Sequence, residues 1–262
     1  MAPPPRFRSP GTLTSLALAA LAMACTGGIE GPATGAGDSA GAAMPPSGRG
    51  RVRSCDETQI NLTPVRLLTR DEYNHTVRDL LGDETNPLID SPSTETATFD
   101  KDAQSLTISS PMARHYLEVG EGIATRAMQK AADILPCTPA GDGRACAEEF
   151  IRDFGTRAFR RPIPEADVTA LLGLFDTVRP TGTFNESIGL IIEAVLNSPR
   201  FLYHIEVGAP VDGEMAALDD YEIASKLSYF LWNTMPDEEL FEAAAKGELH
   251  TEEQIRTQAT RM

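Results

Sequence analysis

The stretch RLLTRDEYNHTVRDLLG, residues 66–82, decides the fold class because it carries every signal of one amphipathic helix. Thr69 is a favourable N-cap residue, and Glu72 follows three positions later, which is the pattern of a capping box. The apolar positions recur at helical spacing and form one face, made of Tyr73, Val77, Leu80 and Leu81. Gly82 can end the helix in the left-handed conformation. The stretch therefore predicts a helix that buries one face, a building block of an α-helical protein.

The chain beyond residue 109 shows the same helical periodicity. Ser110 as an N-cap and Pro111 at the first helical position predict a helix that reaches about Ala132. Further apolar stripes predict helices over about residues 147–158, 165–175, 185–196, 221–232, 236–247 and 251–262. Residues 99–109 favour loop or strand, and residues 198–206 either extend a helix or form a short extended piece. The sequence predicts a mainly α fold of multi-helix modules with little strand. The chain ends within a helical pattern, which we interpret as a fragment of a longer protein.

The N-terminal region has the features of an export signal and not those of a folded domain. Arg6 and Arg8 precede a short apolar run, and small residues stand before Cys25, so residues 1–24 are typical of a signal peptide. A lipoprotein route would leave Cys25 acylated, which would anchor the protein to a membrane of the cell envelope. Residues 25–63 are rich in Gly, Ala and Pro and predict a flexible tether. The alternative is a plainly secreted protein without a lipid.

The four cysteines fit an oxidising compartment. Cys137 and Cys146 flank a Pro/Gly turn segment and predict a small disulfide loop, which would contribute roughly 2–3 kcal/mol to stability. If Cys25 carries lipid, Cys55 needs a partner elsewhere. No C-x-x-C or C-x-x-C-H occurs, so the sequence holds neither a covalent haem motif nor a zinc ribbon.

The charge of the chain argues against nucleic acid as a partner. The formal net charge is -15, whereas residues 1–53 hold five Arg against Glu30 and Asp38. The net negative charge therefore lies entirely in the residues after 53. A part of the chain with that charge repels the phosphate backbones of nucleic acids.

Glu72 and His75 form an E-x-x-H pair, which in di-iron carboxylate bundles supplies metal ligands. Such a site needs a second pair, and the chain offers only the reversed pair of His115 and Glu118. Glu72 is already needed for the helix cap. We therefore interpret the pair as scaffold and expect no metal site.

Three arginines, Arg157, Arg160 and Arg161, stand close together in an acidic protein. We expect them to form structural ion pairs, because guanidinium groups suit bidentate contacts with carboxylates. The candidate partners are Asp79, Glu206 and Asp219. An anion-binding site is the alternative.

An aromatic-rich zone contains Tyr203, Tyr229, Phe230 and Trp232. We interpret these residues as core, and the alternative is that Trp232 lines a sugar or haem pocket. Adjacent acids at residues 219–220 and 237–239 stand at helix starts, where they favour the helix dipole. No nucleophile elbow, phosphate loop or H-E-x-x-H motif is present, so the catalytic residues, if any, are unknown.

Three stretches of the chain together resemble one family of large secreted proteins of planctomycetes and myxobacteria. They are RLLTRDEYNHTVRDLLGD, CAEEFIRDFGTRAFRRPIPEADVTALLGLF, and AVLNSPRFLYHIE with the later LDDYEIASKLSYFLWNTMPDEELFEAAAKGEL. The resemblance implies modules known as domains of unknown function 1587, 1595 and 1592. Their expected ranges are residues 64–132, 133–206 and 187–262, where the second includes the disulfide loop and the third overlaps it and is truncated.

The resemblance also implies further modules beyond residue 262, including a cytochrome-type domain that would carry haem and could hold a partner for Cys55. No cofactor is expected within this chain, and the family offers no established reaction and no catalytic residue to transfer. We expect a non-catalytic helical scaffold of a larger, exported, cytochrome-associated envelope protein, whose protein partners are unknown. One alternative is a secreted hydrolase that acts on a polysaccharide or another polymer with carboxylates near Trp232. The other is a binding module at the cell surface.

Overall fold

The computed structural model describes residues 65–91, 106–211 and 215–262. The predicted signal peptide and tether, with Cys25 and Cys55, lie outside the described residues, as does most of the segment 99–109. Within the described ranges no helix is long and apolar enough to cross a membrane.

The described part is mainly α-helical, as predicted. The helices are α1 (Arg70–Leu81), α2 (Ser110–Gln129), α3 (Ala131–Ile134), α4 (Arg144–Phe159), α5 (Glu165–Val178), α6 (Phe184–Leu196), α7 (Pro199–Leu202), α8 (Asp220–Leu231), α9 (Glu238–Ala245) and α10 (Glu252–Arg261). The short strands are β1 (Arg66–Leu67), β2 (Tyr203–His204), β3 (Ala209–Val211) and β4 (Met215–Ala217). β1 pairs antiparallel with β2, and β3 pairs antiparallel with β4.

Helix α1 forms as its local signals predict. The Thr69 side chain accepts a hydrogen bond from the Glu72 N–H at 3.2 Å, and the Glu72 carboxylate accepts one from the Thr69 N–H at 2.9 Å. Gly82 ends the helix at φ 66°, a left-handed conformation that suits glycine. The predicted apolar face is buried along its whole length, at Tyr73, Val77, Leu80 and Leu81.

Two predicted boundaries are corrected. The N-cap of α2 is Ser109 rather than Ser110, because the Ser109 hydroxyl accepts the hydrogen bond from the Met112 N–H. The helix ends at Gln129 rather than Ala132, and the short α3 follows after a break at Lys130. Both alternatives for the segment 198–206 occur in succession, since α7 is followed directly by β2.

The main core lies between α1, α2 and α4 to α7. At its centre the buried Tyr73 ring contacts the rings of Tyr116 and Phe201, with centroid distances of 5.6 and 5.5 Å. Helices α2 and α6 pack closely at Gly120, where an added Cβ would lie 2.7 Å from Asn197 Nδ2. A second, smaller apolar cluster joins α8 and α9 and includes Ala224, Leu240, Ala243, Ala244 and Leu249.

The predicted disulfide between Cys137 and Cys146 is present, with the two Cα atoms 5.7 Å apart. It links the loop after α3 to the first turn of α4. The pairing confirms the interpretation of the Pro/Gly segment as a closed turn.

Candidate functional site: a buried polar junction and an adjacent cleft

Glu72 forms the centre of a buried polar junction. Its carboxylate is fully buried and accepts two hydrogen bonds from Arg66, at 2.7 and 2.9 Å, besides the capping bond from Thr69. Burial alone would raise the pKa of Glu72, but the neighbouring His204 and the bonds from Arg66 and Thr69 outweigh burial and lower it well below its ordinary value. Glu72 is therefore a fixed anion at neutral pH.

His204 faces this anion because β1 pairs with β2 and places Arg66 opposite His204. The Nε2 atom lies 3.7 Å from Glu72 Oε2, and it has no hydrogen-bond partner among the described residues. Burial lowers the pKa of His204 to about 4; the nearby Glu72 carboxylate opposes this shift, and Arg160 and Arg66 add to it. The imidazole is thus neutral at pH 7.

Tyr229 closes the junction from α8. Its hydroxyl lies 2.7 Å from the Thr76 hydroxyl, and its ring contacts the His204 ring edge-on at 4.5 Å between centroids. The Arg160 guanidinium lies 5.6 Å from the centroid of the same ring, a cation–π distance. Burial raises the pKa of Tyr229, so its hydroxyl keeps its proton.

Arg160 corrects the expectation that it pairs with a carboxylate. The buried guanidinium donates instead to the backbone carbonyl oxygens of Ala158, Arg200, Phe201 and Tyr203. The physical reason is that α4 and α7 both end beside it, and the last carbonyls of a helix lack partners within the helix. The five donors of one guanidinium satisfy several of these acceptors at once.

Arg157 differs from the expectation as well. Its Nη2 donates to the backbone oxygen of Asp79 at 3.2 Å, and not to the Asp79 carboxylate. That carboxylate is taken by Arg78 and by the Thr234 hydroxyl, at 2.7 and 2.6 Å. Glu206 pairs with Lys226 at 2.7 Å instead of with one of the three arginines.

Arg161 does form an ion pair with Asp219, with 2.5 Å between Nη2 and Oδ2. Glu222 lies 3.5 Å from the same guanidinium, and its carboxylate accepts the N–H groups of Val207, Gly208 and Asp219. Burial would raise the pKa of Glu222, but these hydrogen bonds lower it below its ordinary value. The acids at the start of α8 thus act as structural acceptors.

Beside the junction lies an open cleft of about 860 Å³ between α4, α8 and α9. Its apolar wall is made of Tyr221, Trp232, Met235, Pro236 and Phe241. Its charged groups are Asp79, Arg152, Asp153, Arg157, Asp237, Glu238 and Glu242. A second cavity of about 360 Å³ shares Asp79, Asp153 and Arg157 with the first, so the two adjoin at α4.

Trp232, the one tryptophan of the chain, stands at the wall of this cleft. Its indole N–H donates to the backbone oxygen of Met262 at 2.9 Å, and the Arg261 guanidinium lies 5.6 Å from its ring. Arg261 also donates to both carboxylate oxygens of Asp237, at 2.7 and 3.0 Å, and reaches Glu239 at 3.0 Å. A guanidinium is therefore held by an aromatic ring and two carboxylates.

The interpretation of the aromatic zone as core is only partly right. Tyr229 is buried, but Phe230 is 80% exposed. The next position on a helix lies about 100° further round, so Phe230 leaves the buried face that Tyr229 occupies. Trp232 is half-buried and lines the cleft.

The E-x-x-H pair is divided between two structural contacts. Glu72 serves the cap and Arg66, while His75 Nδ1 lies 3.2 Å from the backbone oxygen of Asn233. In the part of the chain that the structure describes, no group of three or more His, Cys, Asp or Glu side chains is arranged to hold a metal ion.

Three protein families match consecutive parts of the chain. They are described as PSD3, a protein of unknown function (DUF1587), over residues 66–129, PSD5 (DUF1595) over residues 146–206, and PSD4 (DUF1592) over residues 218–262. The chain is thus mainly α-helical and carries matches to all three families in this order. The third match begins at residue 218, whereas the resemblance had placed its start at 187. No curated protein and no solved structure matches the chain.

The junction draws side chains from every matched segment. Glu72 and Thr76 come from the first, Arg160 and His204 from the second, and Tyr229 from the third. Sequence reasoning missed this arrangement because it depends on contacts between residues far apart in the chain. Only the capping role of Glu72 had a local signal.

Proposed function

We propose that this chain is the non-catalytic helical scaffold of a larger, exported and lipid-anchored envelope protein that is associated with a cytochrome-type domain. One observation carries the scaffold part of the proposal. The buried polar side chains of all three matched segments bond to one another and to backbone groups, with Glu72, Arg160 and Tyr229 at the centre. Such bonds join the segments into one body.

The state of the titratable groups supports a structural role. Catalytic acids and bases have pKa values near the working pH and stand where a substrate can reach them. The pKa values of Glu72, Glu222 and His204 are all shifted away from neutrality. Glu193 has a raised pKa, owing to burial and to Glu121, but it lines neither of the two cavities described above.

The hydrolase alternative has less support. It requires carboxylates near Trp232 that are free to transfer protons, whereas Asp219 and Glu222 cap α8 and hold Arg161 and backbone N–H groups. Asp237 caps α9 and holds Arg261. Removing their charge is therefore expected to lower stability before it changes any chemistry.

Export, lipid attachment and the haem domain rest on the sequence. The basic and apolar N-terminus, Cys25 and the Gly-rich tether support export with an anchor, and the family resemblance supports a cytochrome-type domain further along the protein. In this arrangement the tether would separate the helical body from the membrane.

The intact mass of the native protein, isolated from the envelope of its host, tests the proposal. We expect acyl chains on Cys25, covalent haem, and a mass well above that of residues 25–262. A mass equal to residues 25–262 plus lipid would refute the cytochrome association. A Cys25→Ser variant should leave the membrane fraction, whereas Cys55→Ser should remain in it; equal partition of the two variants would refute the anchor.

A further inference from the structure

We propose that the cleft at Trp232 binds an extended basic peptide segment, with an arginine or lysine side chain against its aromatic wall. This inference is independent of the scaffold function. It rests on the composition of the cleft, on its charge, and on a guanidinium of the chain that already occupies one corner.

The wall of the cleft offers aromatic surface to a ligand. Tyr221, Trp232 and Phe241 are all half-buried, so part of each ring remains accessible beside the cavity. A cation over the face of an aromatic ring is attracted by the ring quadrupole, and tryptophan binds cations best. Carboxylates stand around the same rings, which adds Coulomb attraction for a cation.

Arg261 shows which chemistry this wall recognises. Its guanidinium lies over the Trp232 ring and makes a two-pronged contact with the Asp237 carboxylate. Both Trp232 and Asp237 also line the cavity. The same pair of groups is therefore known, within this chain, to hold a guanidinium.

The charge balance of the cleft favours a cation over an anion. Five carboxylates line it against the guanidinium groups of Arg152 and Arg157. Arg152 is already held by Glu148 and Glu165, which do not line the cavity. Asp79, Asp237 and Glu242 are likewise paired with cations outside the lining, namely Arg78, Arg261 and Lys246. The groups without an ion pair among the described residues are then Asp153 and Glu238 against Arg157, so the lining keeps a net negative charge that attracts a cation.

Two of the carboxylates remain available to a ligand. Asp153 and Glu238 are exposed and have no ion pair among the described residues. Arg157 contacts a backbone oxygen rather than a carboxylate, so its remaining N–H groups can donate to a backbone carbonyl of the ligand. The two carboxylates can bind cationic side chains of a peptide, and the Arg157 guanidinium can bind one of its backbone carbonyl oxygens. This combination fits a peptide ligand.

The extent of the cavity favours a segment rather than a single side chain. The space of about 860 Å³ lies within the range of pockets that enclose ligands of several groups. The second cavity, of about 360 Å³, adjoins it at Asp79, Asp153 and Arg157. An extended chain can follow this course along α4.

The single tryptophan provides the assay, because tryptophan emission, excited at a wavelength that tyrosine does not absorb, reports on Trp232 alone. The probe is a short synthetic peptide of alternating arginine and serine, titrated at low salt with calorimetry in parallel. The isosteric peptide of citrulline and serine is the neutral control. We expect a saturable change in emission with the arginine peptide only, and a dissociation constant that rises with salt.

Two double variants distinguish binding at the cleft from nonspecific attraction of a basic peptide to the acidic protein. Asp153→Asn with Glu238→Gln should raise the dissociation constant about five- to tenfold, as loss of two partly exposed charge contacts predicts. Glu118→Gln with Glu253→Gln removes the same charge from exposed positions outside the cavity and should leave the constant nearly unchanged. All four side chains are exposed, so both proteins should fold, which far-UV circular dichroism checks.

Three results would overturn the proposal. They are the absence of any saturable change, equal dissociation constants for the two double variants, and equal binding of the citrulline peptide. Saturable binding of a neutral gluco-oligosaccharide in place of the arginine peptide would assign the aromatic wall to carbohydrate and would likewise overturn it.

Discussion

His204 should make the stability of the protein fall as the pH drops below neutrality. Its pKa is about 4 in the folded protein, compared with 6.5 for an unperturbed histidine. The unfolded chain therefore takes up a proton between these values, and the folded protein does not. Stability is complete above about pH 6.5 and is lost as the pH falls towards 4, because unfolding then releases the imidazole to be protonated.

The size of the effect follows from this shift. One pKa unit corresponds to about 1.4 kcal/mol, so the full shift amounts to about 3 kcal/mol, and the part lost between pH 7 and pH 5 is about 2 kcal/mol. The surroundings of the ring are Glu72, Arg66, Arg160 and Tyr229. The lowered pKa of Glu72 removes stability mainly below about pH 5, whereas the raised pKa of Glu193 adds stability as the pH falls, so the comparison with a His204 variant is needed to isolate the histidine.

The assay is the free energy of unfolding from urea titrations at a series of pH values between 7 and 5. The wild-type protein should lose about 2 kcal/mol across the series, and a His204→Gln variant should lose much less, whatever its absolute stability. The matched control is His250→Gln, which changes an exposed histidine and should keep the wild-type slope. Parallel curves for wild type and His204→Gln would refute the reasoning.

Three further comparisons test the junction, the packing and the disulfide by urea titration at pH 7. Arg160→Leu leaves several buried carbonyl oxygens without a donor and should lower the free energy of unfolding by about 3 kcal/mol or more. The control Arg161→Leu breaks a partly exposed ion pair and should lower it by at most about 1 kcal/mol. Equal effects would contradict the structural role given to Arg160. Tyr73→Ala, a large truncation in the core, should lower the free energy of unfolding by about 3–5 kcal/mol. The control Leu117→Ala, at an exposed position, should change it by at most about 0.5 kcal/mol. An unchanged midpoint for Tyr73→Ala would show that this face of α1 is not buried. Cys137→Ser should cost about 2–3 kcal/mol, and no change on adding a reductant to the wild type would contradict a stabilising disulfide.

The helices could be predicted where their signals are local. Thr69 and Glu72 are three residues apart, and the apolar face of α1 repeats within twelve residues, so nothing distant is needed to specify that helix. The capping box of α10 at Thr251 and Gln254 follows the same local pattern. Ser109 and Ser110 are both good N-caps by residue type, and the sequence alone does not distinguish between them.

The junction could not be predicted because its geometry is set at long range. His204 meets Glu72 only through the pairing of β1 with β2, and no composition rule specifies that pairing. The charge pattern favoured carboxylate partners for Arg160, but the ends of α4 and α7 meet beside it and present carbonyl oxygens in their place. Trp232 was placed in the core because its type is usually buried, whereas the turn after α8 brings it to a cavity wall.

The pairing of residue 66 with residue 204 also has a consequence for the order of folding. During synthesis from the N-terminus, the segment that matches the first family is complete long before its strand partner emerges. Helix α1 can form early, but the charge on Glu72 acquires its histidine neighbour only when nearly the whole second segment has been made. Long-range closure of this kind slows folding, because the chain loses loop entropy before the contact is gained. We therefore expect the segment over residues 66–129 not to fold as an independent unit, and the pairing of β1 with β2 to be a late step of folding.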